Sequence, residues 1–436
     1  MDGLKTRPYD AGDRDSPKIA KQFLGNPREV ETKMPKSIKS ILLITVGLLI
    51  LSLAWHQKAV APSPKVLSGN LPIANSVPRV TTLLAVGDIM LSRHVGAKIE
   101  KAGNPNLPFE DIKSLFDSTD IKFGNLECPL SDSKIPLLEG LVFRCLTKDA
   151  SGLAWAGFNV LSTANNHAMD QGGKNIRFTI DYLKSQGISS VGTGGNLDEA
   201  WSPATPTLSP PILRSKTGGD EEGVPHFAFL AASYASANDN GKSKNDFVAR
   251  IEDLPILQSA IKNLKSKNYI VIVSMHAGTE YTRHPNQQQI DFAHAAIDAG
   301  ADIVIGHHPH WIQDIEIYPP SPSSPGEVGV PQKSQSDFKG VPEGRIPPQA
   351  GGEVENPHRG IIFYSLGNFV FDQMWSQDTR EGLAVKLEFK NSALSTATLV
   401  PIIIDDYCCA RLANGAEKTA ILKKINLDSD IIKFQK

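Results

Sequence analysis

An α/β fold is what the sequence predicts, on three observations. Short apolar runs that end in glycine or polar residues alternate with stretches of helical period. Most of those runs are continuous rather than alternating, as in strands of a parallel sheet covered on both faces. Polar residues cluster just after them, where open α/β sheets place their sites. At 436 residues the chain is long enough to bury one large core.

The N-terminal residues bear on location. Residues 1–37 mix both charges with Pro and Gly and lack apolar periodicity, so they read as a disordered cytoplasmic tail. Residues 38–57 read as a transmembrane anchor: Ser40–Gln57 holds 18 residues without a formal charge, closed by Trp55 at one end. Arg28, Lys33, Lys36 and Lys39 precede it, and only Lys58 and Lys65 follow closely. That bias predicts a single pass with a cytoplasmic N-terminus and an extracytoplasmic C-terminal domain. Ala59-Val60-Ala61 offers a cleavable signal peptide as the rival reading, but Pro62 and the long stretch ahead of the apolar run favour a retained anchor. Residues 58–79 read as a Pro-rich linker.

The folded part is expected over 80–405. Strands are predicted at Thr82–Val86, Phe158–Ser162, Phe227–Ala232, Tyr269–Ser274, Ile303–Ile305 and Ile361–Ser365. Helices are predicted at Asn175–Gln186, stopped by Gly187, and at Pro285–Ala299, stopped by Gly300. Leu383–Phe389 and Thr398–Ile404 follow one another without a helix, which predicts an antiparallel pair. Residues 202–225 and 319–358 are rich in Pro, Gly and Ser and read as insertions. Residues 406–436 are set apart as a C-terminal extension.

Composition excludes some functions. Hydrophobic residues at 40% and charged ones at 21% are ordinary for a globular protein, and a net charge of −2 without a basic stripe argues against nucleic acid. The cysteines Cys128, Cys145, Cys408 and Cys409 lack a metal-type spacing. Cys128 and Cys145 are expected to be unpaired, with pairing the alternative in an oxidising compartment.

The chemistry is concentrated at strand ends. The first strand runs into Gly87-Asp88, Ile121–Phe123 into Gly124-Asn125-Leu126-Glu127, and the third into Asn165-Asn166-His167 with Asp170. Further on come His276 with Glu280, then Gly306-His307-His308-Pro309-His310, then Gly367-Asn368. Carboxylate oxygen and imidazole nitrogen together suit Zn, Mn or Fe. Pro309 predicts a turn between His308 and His310. His56, His94, His226, His284, His294 and His358 have no matching pattern and read as structural or surface residues.

The segments LLAVGDIML, FGNLECPL, LSTANNHAMDQG, VSMHAGTEY, ADIVIGHHPHWIQ and IIFYSLGNFVFD, in that order, resemble the CapA family of poly-γ-glutamate capsule synthesis proteins. That family is related to the calcineurin-like metallophosphoesterases. The resemblance implies a metallophosphatase-like four-layer α-β-β-α sandwich behind the N-terminal transmembrane helix. It implies Asp88, Glu127, Asn166, His276, His308 and His310 as ligands of a divalent metal ion, with His167 as general acid or phosphate contact. Metallophosphoesterases open on Asp-x-His, and Met90 stands in the third position here; a bridging Asp is replaced by the Asn125/Glu127 pair. These departures leave the centre open between one ion and two. The function implied is synthesis or export of a surface polymer such as poly-γ-glutamate. Partners would be that anionic polymer, polymer synthase subunits and the membrane. A cell-surface phosphoesterase acting on a phosphoester substrate, and a non-catalytic polymer-binding scaffold, remain as alternatives, so hydrolase activity itself stays open.

Overall fold

The computed structural model describes residues 80–135, 142–207, 225–234, 246–319 and 358–434. The expected tail, anchor and linker lie outside the described residues, as does most of each expected insertion. Among the described residues no helix is long and apolar enough to cross a membrane.

Strands in chain order are β1 (Val80–Ile89), β2 (Ile121–Leu126), β3 (Val160–Ser162), β4 (Ser189–Val191), β5 (Phe227–Ser233), β6 (Ile270–His276) and β7 (Ile303–His307). They continue with β8 (Ile315–Tyr318), β9 (Gly360–Phe363), β10 (Asn368–Val370), β11 (Glu381–Lys390), β12 (Ala393–Asp405), β13 (Cys409–Leu412) and β14 (Ile431–Lys433). They form two mixed sheets. The larger runs β13-β12-β11-β1-β2-β3-β4, with β10 also paired to β1 and β14 to β12; the smaller runs β5-β6-β7-β9-β8. The fold is α/β, as the alternation predicts.

Side-chain period explains the layering. Along β1, Leu83 and Ala85 join Phe123, Phe229, Ile272 and Ile305 in one core shared by both sheets, where Phe123 stacks on Phe229 at 5.2 Å. Leu84 and Val86 point the other way, into a second cluster beneath the helices Arg93–Ala102 and Thr147–Ala156. The smaller sheet likewise turns Val271, Val273 and Val304 toward the helices Leu254–Lys265 and Gln287–Asp298. Strands β5 and β6 are buried on both faces, which is why their sequences read as unbroken apolar runs.

The helix Gln287–Asp298 starts at Asn286, whose side chain accepts from Gln289 N–H in a capping box, and ends before Gly300 at φ +109°. The helix Gly173–Ser185 likewise ends at Gly187. Both match the expected positions within two residues.

Three expectations change. The segment from 406 is not an appendage: β13 and β14 pair with β12, and Ile421 and Leu422 of the helix Gly415–Lys424, with Ile425 just after it, enter the central core. Its polar face and the Asn414 cap hid that apolar side. The expected insertion at 202–225 begins later, because Ala204 is buried and bridges Phe229. The cysteines are paired rather than free. Cys128 joins Cys145 with a Cα–Cα distance of 5.9 Å, and Cys408 joins Cys409. The first pair stands 17 positions apart in the chain, a spacing that fixes no geometry by itself; the parallel bridge of Leu130 with Cys145 brings them together.

Candidate metal centre

Register along β1 builds the site. Asp88 lies opposite Asn125 of β2 on one side and Asn368 of β10 on the other. Gly87 makes that possible: a Cβ there would sit 2.0 Å from the Gly367 carbonyl oxygen, and Asp88 N–H donates to that same oxygen at 3.0 Å. The C-terminal end of β7 then closes from the second sheet, where His308 N–H donates to Asp88 Oδ2 at 3.1 Å.

Around this carboxylate the structure gathers the predicted donors. Ligand atoms of Asp88, Glu127 and His310 lie within 4.8 Å of one another, and so do those of Glu127, His276 and His308. The two sets share Glu127. Asn166 Oδ1 is 2.8 Å from His276 Nε2, so the amide oxygen converges on the second set. His310 Nε2 lies 3.8 Å from Glu127 Oε1 and its Nδ1 3.6 Å from Asp88 Oδ2. All six expected ligands are buried, and they come from the ends of five different strands.

His308 and His310 have φ values of +96° and +58°, left-handed backbone that side-chain-bearing residues rarely adopt. The turn expected from Pro309 is therefore present, and it carries strain on both sides of the proline. Such strain persists where the surroundings over-determine it, and it aims both rings inward.

Electrostatics set this cluster apart from an ordinary core. Burial pushes the Asp88 carboxyl up, but the His307 imidazole beside it, with His276 and His310, holds it below the ordinary carboxylate range. Glu127 goes the other way: burial, then the Asp88 and Glu280 carboxylates, push it well above its usual value. Burial and the neighbouring His308 drive His276 well down, and burial with His310 takes His308 down to about 3. His310 is lowered by burial as well.

Both carboxylate oxygens of Glu127 and the Nδ1 of His308 are buried without a hydrogen-bond partner among the described residues. An ionised carboxylate left so costs several kcal/mol unless a cation compensates it. The donor set therefore fits a divalent cation: oxygen and nitrogen ligands, one carboxylate waiting for a counter-charge, and neutral imidazoles.

His167 stands at the mouth. Its Nδ1 is 2.7 Å from Asp170 Oδ2, and its ring stacks on Phe143 with centroids 3.9 Å apart. It lines a cavity of about 590 Å³ together with Arg93, Glu280, Tyr281, His310 and Trp375. Met90, by contrast, is fully buried in the apolar cluster behind β1, and its sulfur accepts from Ser92 N–H at 3.1 Å. Asn125 uses its amide nitrogen to donate to Asp88 Oδ1 at 2.9 Å. Neither Met90 nor Asn125 supplies an anionic ligand; in the second motif that part falls to Glu127.

Sequence reasoning passed over the residues that hold the ligands. His307, fully buried, places Nδ1 3.1 Å from Asp88 Oδ1. Asn165 donates to the Leu126 carbonyl at 2.8 Å, and Asn368 Oδ1 meets His310 Nδ1 at 2.9 Å. Asn165 and His307 each adjoin a predicted ligand in the same motif, and Asn368 follows an apolar run as the ligands do, which was the available signal. Of the histidines set aside, His94 lines the cavity, and His284 and His294 pair with Asp314 and Glu316 away from the cluster.

Two packed sheets whose strand ends bring together buried carboxylates and imidazoles define an α/β protein built around a cation-sized donor set. More particularly, the chain belongs to the bacterial capsule synthesis protein family PGA_cap, whose model matches residues 82–373. It is similar to the capsule biosynthesis protein CapA of Bacillus anthracis, 26% identical over 92% of this chain and 84% of that one. The PGA biosynthesis protein CapA of Bacillus subtilis is 28% identical over 89% and 87%. A probable polyglutamine synthesis accessory protein of Mycobacterium tuberculosis is 26% identical over 55% of this chain and 71% of its own length.

Proposed function

We propose that this chain is an anchored protein of surface-polymer synthesis or export that binds a divalent cation in a metallophosphatase-like site. Its polymer is of the poly-γ-glutamate class. The observation that carries the metal reading is Glu127, a buried carboxylate with no hydrogen-bond donor among the described residues, shared by two donor sets. The polymer reading rests on the family and on the names of the two Bacillus relatives. The site's position, at strand ends between two helix-covered sheets, is what a metallophosphatase-like four-layer sandwich would give. The extracytoplasmic placement rests on the apolar run 38–57 and on the Cys128–Cys145 disulfide, a bond that oxidising compartments maintain.

Asp88, Glu127, Asn166, His276, His308 and His310 would hold the cation. When bound it would polarise a carboxylate, amide or phosphoryl oxygen. Asp170 orients the His167 ring through Nδ1, and Nε2 is the nitrogen that exchanges a proton with a leaving group. The buried imidazoles stay neutral near neutral pH and so remain donors to a cation rather than rivals of it.

The test is elemental analysis of the full-length chain, with the paired variant His308→Ala/His310→Ala. Bound Mn, Zn or Fe in the parent and its loss in the pair is the expected result; a parent without metal sinks the reading. A phosphoesterase is the second reading, favoured by the His167–Asp170 pair at the cavity mouth. Turnover of a simple aryl phosphate, abolished in Asp88→Ala, would select it. Polymer binding that survives chelation, without turnover, would select the non-catalytic scaffold.

A further inference from the structure

Above the metal centre, the Arg93 guanidinium is held in place from several sides. Asp372, whose side chain is only 2% exposed, pairs with it through Nε at 3.0 Å and through Nη2. Asp372 also accepts from His94 N–H at 3.2 Å. The guanidinium carbon lies 5.0 Å from the Phe143 ring centroid and 5.9 Å from that of Phe371. Nη1 donates to no described residue, and about a third of the side chain, 32%, remains exposed at the cavity. Arg93 itself sits at φ +50°, an unfavourable backbone conformation at the turn into the helix Arg93–Ala102. A long, flexible cation has thus lost most of its freedom before any ligand arrives, which lowers the cost of binding one.

Part of the same cavity's lining is aromatic. Trp375 is 61% exposed, and Tyr281 meets it edge-on at 4.8 Å. Tyr281 in turn stacks on the metal-site residue His310 at 6.0 Å. A large apolar ring left exposed inside a cavity marks a ligand surface. Glu280 and Asp372 also line the cavity, so it is no track for a long polyanion. It suits one oxyanion at the guanidinium, with uncharged chain lying against Trp375 and Tyr281.

We infer that Arg93 is the specificity-determining residue of an oxyanion subsite beside the metal centre, positioned by Asp372. It would read one carboxylate of a γ-amide-linked glutamate segment whose neighbouring group reaches the cation. This deepens the proposed function and rests on it for the role of the metal, while the subsite itself rests on Arg93, Asp372 and the aromatic wall. A phosphate would offer the same oxyanion chemistry, so the source is decided by experiment.

The experiment measures binding of three probes to the full-length chain: a short γ-linked glutamate oligomer, the same oligomer with its α-carboxylates amidated, and phenyl phosphate. Arg93→Ala should weaken the acidic oligomer roughly tenfold or more, the scale of a lost charge-assisted hydrogen bond. The amidated oligomer should bind parent and variant alike, and metal content should stay unchanged. Arg93→Ala leaves Asp372 buried without its cation, so the pair Arg93→Ala/Asp372→Ala controls for folding. A purely structural role predicts that the pair recovers both stability and affinity; the subsite predicts that stability recovers and affinity does not. Arg93→Lys should recover part of the affinity. Arg93-dependent binding of phenyl phosphate alone would keep the subsite and overturn the polymer as its source. Failure of every probe to bind the parent, or parent-like affinity in the double variant, would overturn the proposal. Arg93-dependent binding in a protein without metal would instead overturn the metal reading and leave the subsite standing.

Discussion

At the scale of single residues, the cluster around Asp88 exchanges stability for the ability to hold charge. His308 makes this measurable. Its imidazole is taken down to about 3 by burial and His310, while in the unfolded chain it titrates near its ordinary value. Between those two values the unfolded state binds a proton that the folded state refuses. Folding stability therefore falls as pH drops through the mid-6 range toward 3, by up to about 1.4 kcal/mol per pH unit for this one group. Glu127 has the opposite sign: its raised value makes the folded, metal-free protein lose stability as pH rises above the ordinary carboxylate range. Urea titrations of chelated protein between pH 4 and 6 should show a shallower pH slope in His308→Ala than in the parent. An unchanged slope would mean that His308 is protonated in the fold. The ligands themselves were legible because carboxylate, amide and imidazole recur after apolar runs. Their supports were not, because Asn165, His307 and Asn368 are defined by what they touch across strands, and pairing partners such as Asp88 with Asn368 lie 280 positions apart in the chain.

At the scale of elements, legibility followed burial pattern. β5 and β6 are buried along their whole length and were readable as runs; β3 is three residues long and begins only at Val160, because Gly157 and Phe158 are still capping the preceding helix. The cysteine pairing was illegible for a related reason. Cys128 lies two residues past the end of β2, and Cys145 arrives from a segment whose place is set by the Leu130 bridge rather than by local pattern. That disulfide ties the chain just after Glu127 to the segment carrying Phe143, the ring under His167 and Arg93. In the chain-entropy account, a loop of this size contributes about 3 kcal/mol. Cys128→Ser/Cys145→Ser should therefore lower the unfolding free energy by about that amount in denaturant titrations. Metal content should persist, since neither sulfur belongs to the donor sets. A pair as stable as the parent would show that the bond is dispensable to the fold.

At the scale of the whole molecule, two segments that looked alike as departures from the α/β pattern differ in what the sheets ask of them. The insertion after Tyr318 leaves one strand end and returns at its neighbour: β8 and β9 are antiparallel, and Tyr318 lies opposite Gly360. The two ends are held together by the ladder whatever lies between them, so a short turn in place of residues 320–357 closes the same hairpin. Loop-closure entropy changes slowly with length, and shortening of this extent should stabilise the fold by no more than about 2 kcal/mol. The segment from 406 is the reverse case. It supplies β13 and β14 to the edge of the larger sheet, and its helix buries Ile421 and Leu422. Lys424 of that helix pairs with Glu381 and Asp378, and Asp378 also accepts from Arg283. Ending the chain at Asp405 would expose the apolar side of β12 and strand Glu381, whose side chain is 5% exposed, without its cation. Expression of the two shortened chains side by side is the check. The 320–357 replacement should remain soluble with a cooperative unfolding transition at or above that of the parent, and the chain ending at 405 should aggregate. A soluble, cooperatively folding 405 truncation would mean that β12 needs no cover, and that the sheet is complete without its last two strands.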